Sequence, residues 1–390
     1  MDVLIIMNVL ITFTYGVSLD QWYNSGIIFR ELELYKRLTQ KNVNFNLLTY
    51  GDHKDLNYPE VLGTIKVFPI GKYLTSKFPK FQSLLLPLRL NQLFKRIDII
   101  KTNQMEGSLI ACVGKLLYGK KLIIRCGYEW LRTYISDYEI KKKKNIFKFL
   151  LRYTWMYLIE LISYKLADGI ILTNKRDVQF IIQKFRLKKK KKKIRIFYNY
   201  IDVELFKPLK LKKKDKSVLF IGRLTREKNL FNLLDAFKDL DGFSLDIIGK
   251  GPLEDKLKQT IKELGIKINF LGRFSNNKLP EIINQYQIFI LPSYYEGNPK
   301  VLLEAMSCGT PCIGTNVIGI NDILNHKKNG YLCDLSSNSI KNAITFLYEN
   351  GDLREKIGQN ARNFVIKNCS LDLIAKKEFL FYNEIIEDKK

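Results

Sequence analysis

Short apolar runs, each closed by glycine, proline or a polar turn and followed by a helical stretch, recur along the chain, and the series starts afresh near its middle. The first series occupies residues 2–13, 45–49, 65–68, 97–101, 122–125 and 194–197, and the second residues 218–221, 245–248, 268–271, 288–291 and 312–315. Runs that are apolar throughout, rather than alternating, are what strands covered on both faces require. Their alternation with helices predicts doubly wound parallel sheets. A chain of 390 residues is too long for one core, and the charged stretch 209–217 separates the two series. The expected architecture is α/β: two Rossmann-like doubly wound domains facing a cleft, at residues 1–200 and 201–370. Residues 371–390 are expected to form a terminal helix able to return to the first domain.

Charge and cysteine content narrow the partners. The formal net charge is +26, which favours a polyanion: nucleic acid, an anionic membrane surface or a phosphorylated substrate. Part of the excess is lysine in a chain also rich in Ile and Asn, so composition contributes to it. Cys112, Cys126, Cys308, Cys312, Cys333 and Cys369 form no C-x-x-C, and with two His in the chain a zinc site is not expected. Scattered cysteines read as reduced thiols of a cytoplasmic protein. The N-terminus lacks the basic start of a signal peptide, and no apolar run is long enough to span a bilayer. Residues 145–166, preceded by Lys141–Lys144, form a helix with a wide apolar face and Trp155. Two readings stand: a core helix of the first domain beside solvated lysines, or a basic amphipathic helix on anionic lipid, where each nearby cation adds about 1 kcal/mol. The six-lysine run 188–193 reads as an exposed loop.

Chemistry concentrates in the second series. The run ending at Pro292 leads into Ser293-Tyr-Tyr-Glu296-Gly297-Asn298-Pro299-Lys300-Val301-Leu-Leu-Glu304, with Gly309 and Pro311 ending the helix. Pro299 suits a first helical turn. This is strand, loop and short helix, with one carboxylate before the helix and a second inside it. Open α/β sheets bind ligands at the carboxyl ends of their strands, and helix N-termini bind phosphate or sugar oxygens. The equally available alternative is an ordinary βα unit with solvated glutamates. Gly222-Arg223-x4-Lys228 ends another strand. There a guanidinium and an ammonium beside a bare turn suit a pyrophosphate, or are two surface cations. Gly249-x-Gly251-Pro252 is a further tight turn. Asp239-Leu-Asp241 has the spacing of a metal-binding pair but lies away from the carboxyl edge, so no metal is expected. In the first series, Gly16, Ser18, Trp22 and Gly26 surround the first strand-to-helix loop, and Gly127-Tyr128-Glu129 follows the 122–125 strand.

The pair Glu296 and Glu304, with Gly222-Arg223…Lys228 and Asn199-x-x-Asp202 at consistent spacing, resembles the E-x7-E pattern of retaining family 4 glycosyltransferases over residues 199–335. The first-domain match is looser and rests on Ser18, Trp22, Gly26, Arg30, Glu31 and the Arg125–Glu129 segment. The resemblance implies a GT-B fold, a nucleotide-diphosphate sugar as donor substrate, no cofactor and no metal. It implies that Arg223 and Lys228 bind the diphosphate, and that Glu304 meets the ribose while Glu296 faces the sugar. Further donor contacts are implied at Gly222, Gly249, Arg273, Gly297, Asn298, Lys300 and Val301. Acceptor-side positions are Gly16, Ser18, Trp22, Gly127, Tyr128 and Glu129. Two departures stand out: Asn298-Pro299 replaces the family's usual Phe-Gly, and Gly127-Tyr128-Glu129 stands where many members place a histidine. The expected function is transfer of a sugar to a lipid-linked or polysaccharide acceptor in surface glycan synthesis, at the cytoplasmic face of an anionic membrane. The alternatives are a GT-B nucleotide-sugar epimerase and a basic nucleic-acid-binding protein. The latter leaves the phosphate turn and paired glutamates unexplained, and its lysine runs lack interleaved aromatics.

Overall fold

A computed structural model of the chain describes residues 6–74, 82–141, 145–187 and 193–388. The lysine runs at 141–144 and 188–193 and the start of the first strand fall largely outside them. The described residues form two compact units. One runs to Phe197 and takes in the chain from Ile374 onward; the other is Tyr198–Leu373.

The first unit holds β1 (Met7–Thr12), β2 (Val43–Thr49), β3 (Lys66–Pro69), β4 (Ile99–Thr102), β5 (Lys121–Arg125), β6 (Gly169–Leu172) and β7 (Lys193–Ile196). They pair in parallel in the order β3-β2-β1-β4-β5-β6-β7. The second unit holds β8 (Ser217–Ile221), β9 (Ser244–Ile248), β10 (Ile268–Gly272), β11 (Ile288–Leu291), β12 (Cys312–Thr315) and β13 (Tyr331–Cys333). They are again parallel, in the order β10-β9-β8-β11-β12-β13. The uniformly apolar strands are buried as that pattern demands: every residue of β8, β11 and β12 is covered. Each strand order reverses once, between β1 and β4 and between β8 and β11. Side chains following those strands therefore converge at a crevice on the carboxyl edge.

The helix Ile28–Thr39 covers the first sheet with a single apolar stripe, in which buried Ile28, Leu32, Tyr35 and Leu38 recur at helical spacing. Leu371–Glu387 brings the end of the chain onto the first sheet, where Lys101 of β4 meets Glu378 at 2.5 Å, both nearly inaccessible. The Tyr382 hydroxyl donates to the same carboxylate at 2.6 Å.

Several elements differ from the sequence expectation. The first loop holds a short helix, Leu19–Asn24, capped by Ser18. The stretch after β4 is a 3-10 turn, Met105–Gly107, before the helix Ser108–Tyr118. The helices Trp130–Lys141 and Lys175–Lys184, with β6 and β13, were not anticipated. β6 opens on a glycine because a Cβ there would lie 2.7 Å from the Phe381 ring.

The Ile146–Leu166 helix packs one face into the core and leaves a second apolar face outside, so each of its two readings keeps one face. Its inner face buries Met156, Ile159, Glu160, Ser163 and Tyr164. The polar members of that set are inside. The outer face carries Phe147, Leu151, Trp155, Leu158 and Ile162, each 45–72% exposed. Among the described residues no helix is long and apolar enough to cross a membrane.

Candidate active site

Three glycine turns fix the carboxyl edge of the second sheet. The Gly222 N–H donates to Ile248 O at 2.9 Å, and the Gly249 N–H donates to Gly272 O at 2.7 Å. Gly249 takes φ +141°, and a Cβ there would lie 1.8 Å from Gly222 O. A side chain at Gly249 would force the turns after β8 and β9 apart, so its role is to let two backbones meet.

From the Gly222 turn the chain passes Arg223 and enters a 3-10 turn, Arg226–Lys228, before the helix Leu230–Ala236. Arg223 is exposed, and its guanidinium has no hydrogen bond or ion pair among the described residues. Lys228 behaves differently. Its ammonium lies 2.5 Å from Glu296 Oε1, with side chains only 14% and 11% exposed. Ser293 Oγ donates to the same oxygen at 2.7 Å. The loop that carries Glu296 is tied down by backbone bonds: Tyr294 N–H to Glu227 O at 2.8 Å, and Glu296 N–H to Ile318 O at 3.1 Å. The two motifs that the sequence presents as separate thus share an ion pair across the β8/β11 reversal.

Pro299 is the N-cap of the helix Lys300–Ser307 rather than a residue of its first turn, and no side chain caps that end. An uncapped N-terminus leaves backbone N–H groups and the positive end of the helix dipole for an anion. Glu304 lies inside this helix, 1% exposed, and accepts from Asn276 Nδ2 at 3.1 Å. Asn298 is buried too. Its Oδ1 accepts from Asn199 N–H at 2.7 Å and its carbonyl from Asn199 Nδ2 at 2.6 Å, while its own Nδ2 has no partner among the described residues. An orphaned buried amide costs about 1–3 kcal/mol unless a ligand takes it. Lys300 Nζ lies 4.4 Å over the Tyr200 ring. Arg273 is exposed just past β10, and Gly297 and Val301 are half-buried on either side of the helix start. Among the described residues no group of three or more His, Cys, Asp or Glu could hold a metal ion.

Sequence reasoning missed Gly319. It takes φ +84°, and a Cβ there would lie 2.2 Å from Glu296 O. The Val317-Ile-Gly319 segment is the seat on which the Glu296 loop rests, and its only sequence signal is a glycine shortly after a buried strand.

The first-unit positions divide. Ser18 forms a capping box with Gln21. Trp22 is buried, with its ring centroid 4.4 Å from that of Phe13. Both are committed to the fold. Gly16 takes φ +76°. The Gly127 N–H donates to Gln104 Oε1 at 2.8 Å, and Tyr128 is partly exposed. Glu129 is buried rather than presented: Oε2 accepts the Arg132 N–H at 2.6 Å. Glu160 Oε1 accepts the Leu131 N–H at 3.0 Å. The remaining oxygens, Glu129 Oε1 and Glu160 Oε2, are buried without another donor among the described residues. Burial raises both carboxyls above the usual range, and each other's proximity raises Glu160 further. A proton shared by the pair would turn one of those oxygens into a donor to the other.

Known proteins resemble this chain in sequence and in fold. Residues 202–364 match the family model described as glycosyl transferases group 1. An uncharacterized glycosyltransferase of Methanocaldococcus jannaschii is 27% identical over 349 residues, 88% of this chain and 90% of that protein. The UDP-Gal:alpha-D-GlcNAc-diphosphoundecaprenol alpha-1,3-galactosyltransferase of Escherichia coli is 25% identical over 296 residues, 71% of this chain and 73% of that one. Among solved structures, sucrose-phosphate synthase of Thermosynechococcus elongatus superposes with a TM-score of 0.76 at 18% identity, covering 98% of this chain and 100% of that one. The fold is GT-B, and the matches support a glycosyltransferase.

Proposed function

We propose that the protein is a retaining family 4 glycosyltransferase that moves a sugar from a nucleotide diphosphate to a lipid-linked acceptor in surface glycan synthesis. The observation that carries this is the convergence of Arg223, Lys228, Glu296 and an uncapped helix N-terminus where the second sheet reverses its order. When the bond between the anomeric carbon and the phosphate oxygen breaks, its electron pair goes to the phosphate. Arg223, Lys228 and the helix dipole are fixed charges that favour that build-up without a metal ion. The acceptor hydroxyl oxygen forms the new bond on the face the phosphate leaves, and its proton passes to the departing phosphate. In this reading Glu296 contacts the sugar and holds Lys228 in place until the diphosphate arrives; it is not a nucleophile. Glu304 takes the ribose hydroxyls. The Escherichia coli relative's diphosphoundecaprenol acceptor and the exposed apolar face of the Ile146–Leu166 helix support a lipid-linked acceptor and a place on the cytoplasmic membrane face.

A panel of nucleotide sugars, scored by the melting temperature of the protein, tests the donor reading. One of them should stabilise the wild type, and neither Lys228→Ala nor Glu304→Gln should respond to it. Transfer by Lys228→Ala should fall by roughly 10²–10³, the usual cost of removing one fixed donor to a developing oxyanion. Full activity in either variant removes the site assignment.

A further inference from the structure

The first sheet has a ligand-sized cavity of its own at the reversal between β1 and β4, and the donor chemistry does not use it. Its volume is about 370 Å³, within the range of ~300–1,000 Å³ typical of small-molecule pockets. Tyr15 after β1, Trp130 after β5, Leu84, Ile110, Tyr50 and Trp155 supply most of the wall. Ser83 and Glu106 are the polar side chains besides the tyrosines and tryptophans. Ser83 is already hydrogen-bonded to the Tyr50 hydroxyl, and among the described residues no lysine or arginine lines the space.

Such a wall is wrong for a sugar or a phosphate. A buried sugar needs a partner for each hydroxyl, and a phosphate needs cations or several N–H groups. A hydrocarbon chain needs only apolar and aromatic surface, which the cavity supplies. Trp155 adds the second observation. It lines the cavity and also belongs to the exposed row Phe147, Leu151, Trp155, Leu158 and Ile162. An apolar chain lying along that row meets the cavity wall at Trp155. Lys148 and Arg152 flank the row on the same helix, exposed and cationic, where a lipid-linked diphosphate would sit at the edge of the apolar surface.

We infer that this cavity binds the diphosphate-proximal part of the acceptor's polyprenyl chain, which anchors the acceptor in the first unit. The inference rests on the lipid-linked acceptor proposed above and names the part of that substrate the cavity holds. The space suits a short stretch of chain; the remainder of the lipid stays under the exposed helix face.

The whole protein titrated with geranylgeranyl diphosphate, read by tryptophan fluorescence, tests it, because two of the three tryptophans in the chain line the cavity. The expected result is a saturable fluorescence change that inorganic diphosphate does not produce. Leu84→Asp places a carboxylate at a half-buried wall position and should weaken binding at least ten-fold with the melting temperature kept. The double variant Phe147→Ser/Leu151→Ser, on the outer row only, should retain it. Either of two results would overturn the proposal: no saturable change, or loss in the outer-row variant with Leu84→Asp unaffected. The nucleotide-sugar melting shift in the same samples reads the donor site, so failure of either reading is seen apart from the other.

Discussion

Glu296 receives both Lys228 and Ser293 on a single oxygen, Oε1, which leaves Oε2 uncommitted among the described residues. A carboxylate held in this way presents one acceptor in fixed geometry without spending its charge on a flexible search. Sequence alone placed Lys228 and Glu296 in separate motifs 68 residues apart, and nothing in either motif shows that they touch. Glu129 and Glu160 allow a sharper prediction. Their raised protonation means the folded protein keeps a proton that the unfolded chain releases once pH passes the ordinary glutamate range. The native state then binds more protons than the unfolded state, so this pair's contribution to stability falls as pH rises above that range, until the folded pair itself ionises. Glu160→Gln keeps an acceptor for the Leu131 N–H and supplies a permanent donor toward Glu129. Melting temperatures taken from pH 5 upward should decline less steeply for Glu160→Gln than for wild type, with the variant the more stable at the alkaline end. Parallel curves would show that no proton is shared.

At the scale of elements, legibility followed local physics. β11 and β12 are continuous apolar runs bounded by proline, glycine or polar turns, and their bounds could be read directly. β6 could not be read so easily. Its four residues follow Ala167-Asp168 without a break from the long helix, and its glycine answers to Phe381, more than two hundred positions away. The Ile146–Leu166 helix was visible as a helix, but its orientation was not. It is apolar nearly all round, so the pattern did not say which face the core would take. The structure turns Glu160 and Ser163 inward and leaves a row of large apolar side chains outside. An exposed row of this kind is costly in water and marks an interaction surface. If that surface is lipid, Leu151→Ser/Leu158→Ser should reduce co-sedimentation with anionic vesicles by an order of magnitude and leave the nucleotide-sugar melting shift intact. Binding that also weakens as salt rises would show Lys148 and Arg152 contributing through their charge. Unchanged sedimentation of the variant would remove lipid as the partner of this face.

At the scale of the whole molecule, the chain leaves the first unit at Phe197 and comes back to it at Ile374. The outgoing and returning segments run side by side: the Ile201 N–H donates to Cys369 O at 2.8 Å and the Leu371 N–H to Ile201 O at 2.9 Å. What the returning helix delivers is the partner of a buried charge. Lys101 stands in the middle of the first sheet, 1% exposed, and its ammonium is met by Glu378 and the Tyr382 hydroxyl. Burial alone pushes the Lys101 ammonium toward its neutral form, and Glu378 opposes that. Removing one member of such a pair strands the other in the core, at a cost of roughly 3–5 kcal/mol, whereas replacing both with apolar side chains of similar size is often close to neutral. Glu378→Ala should therefore lower the melting temperature markedly, and Lys101→Met/Glu378→Leu should recover most of the loss. The exposed pair of Glu254 and Lys258, an i,i+4 contact on a surface helix, serves as the control, since Glu254→Ala should leave the melting temperature almost unchanged. The donor contacts proposed above all lie within residues 198–373, so folded Glu378→Ala protein should keep the melting shift given by the nucleotide sugar. Equal losses from Glu378→Ala and Glu254→Ala would mean that the C-terminal helix does not hold the first sheet through this charge.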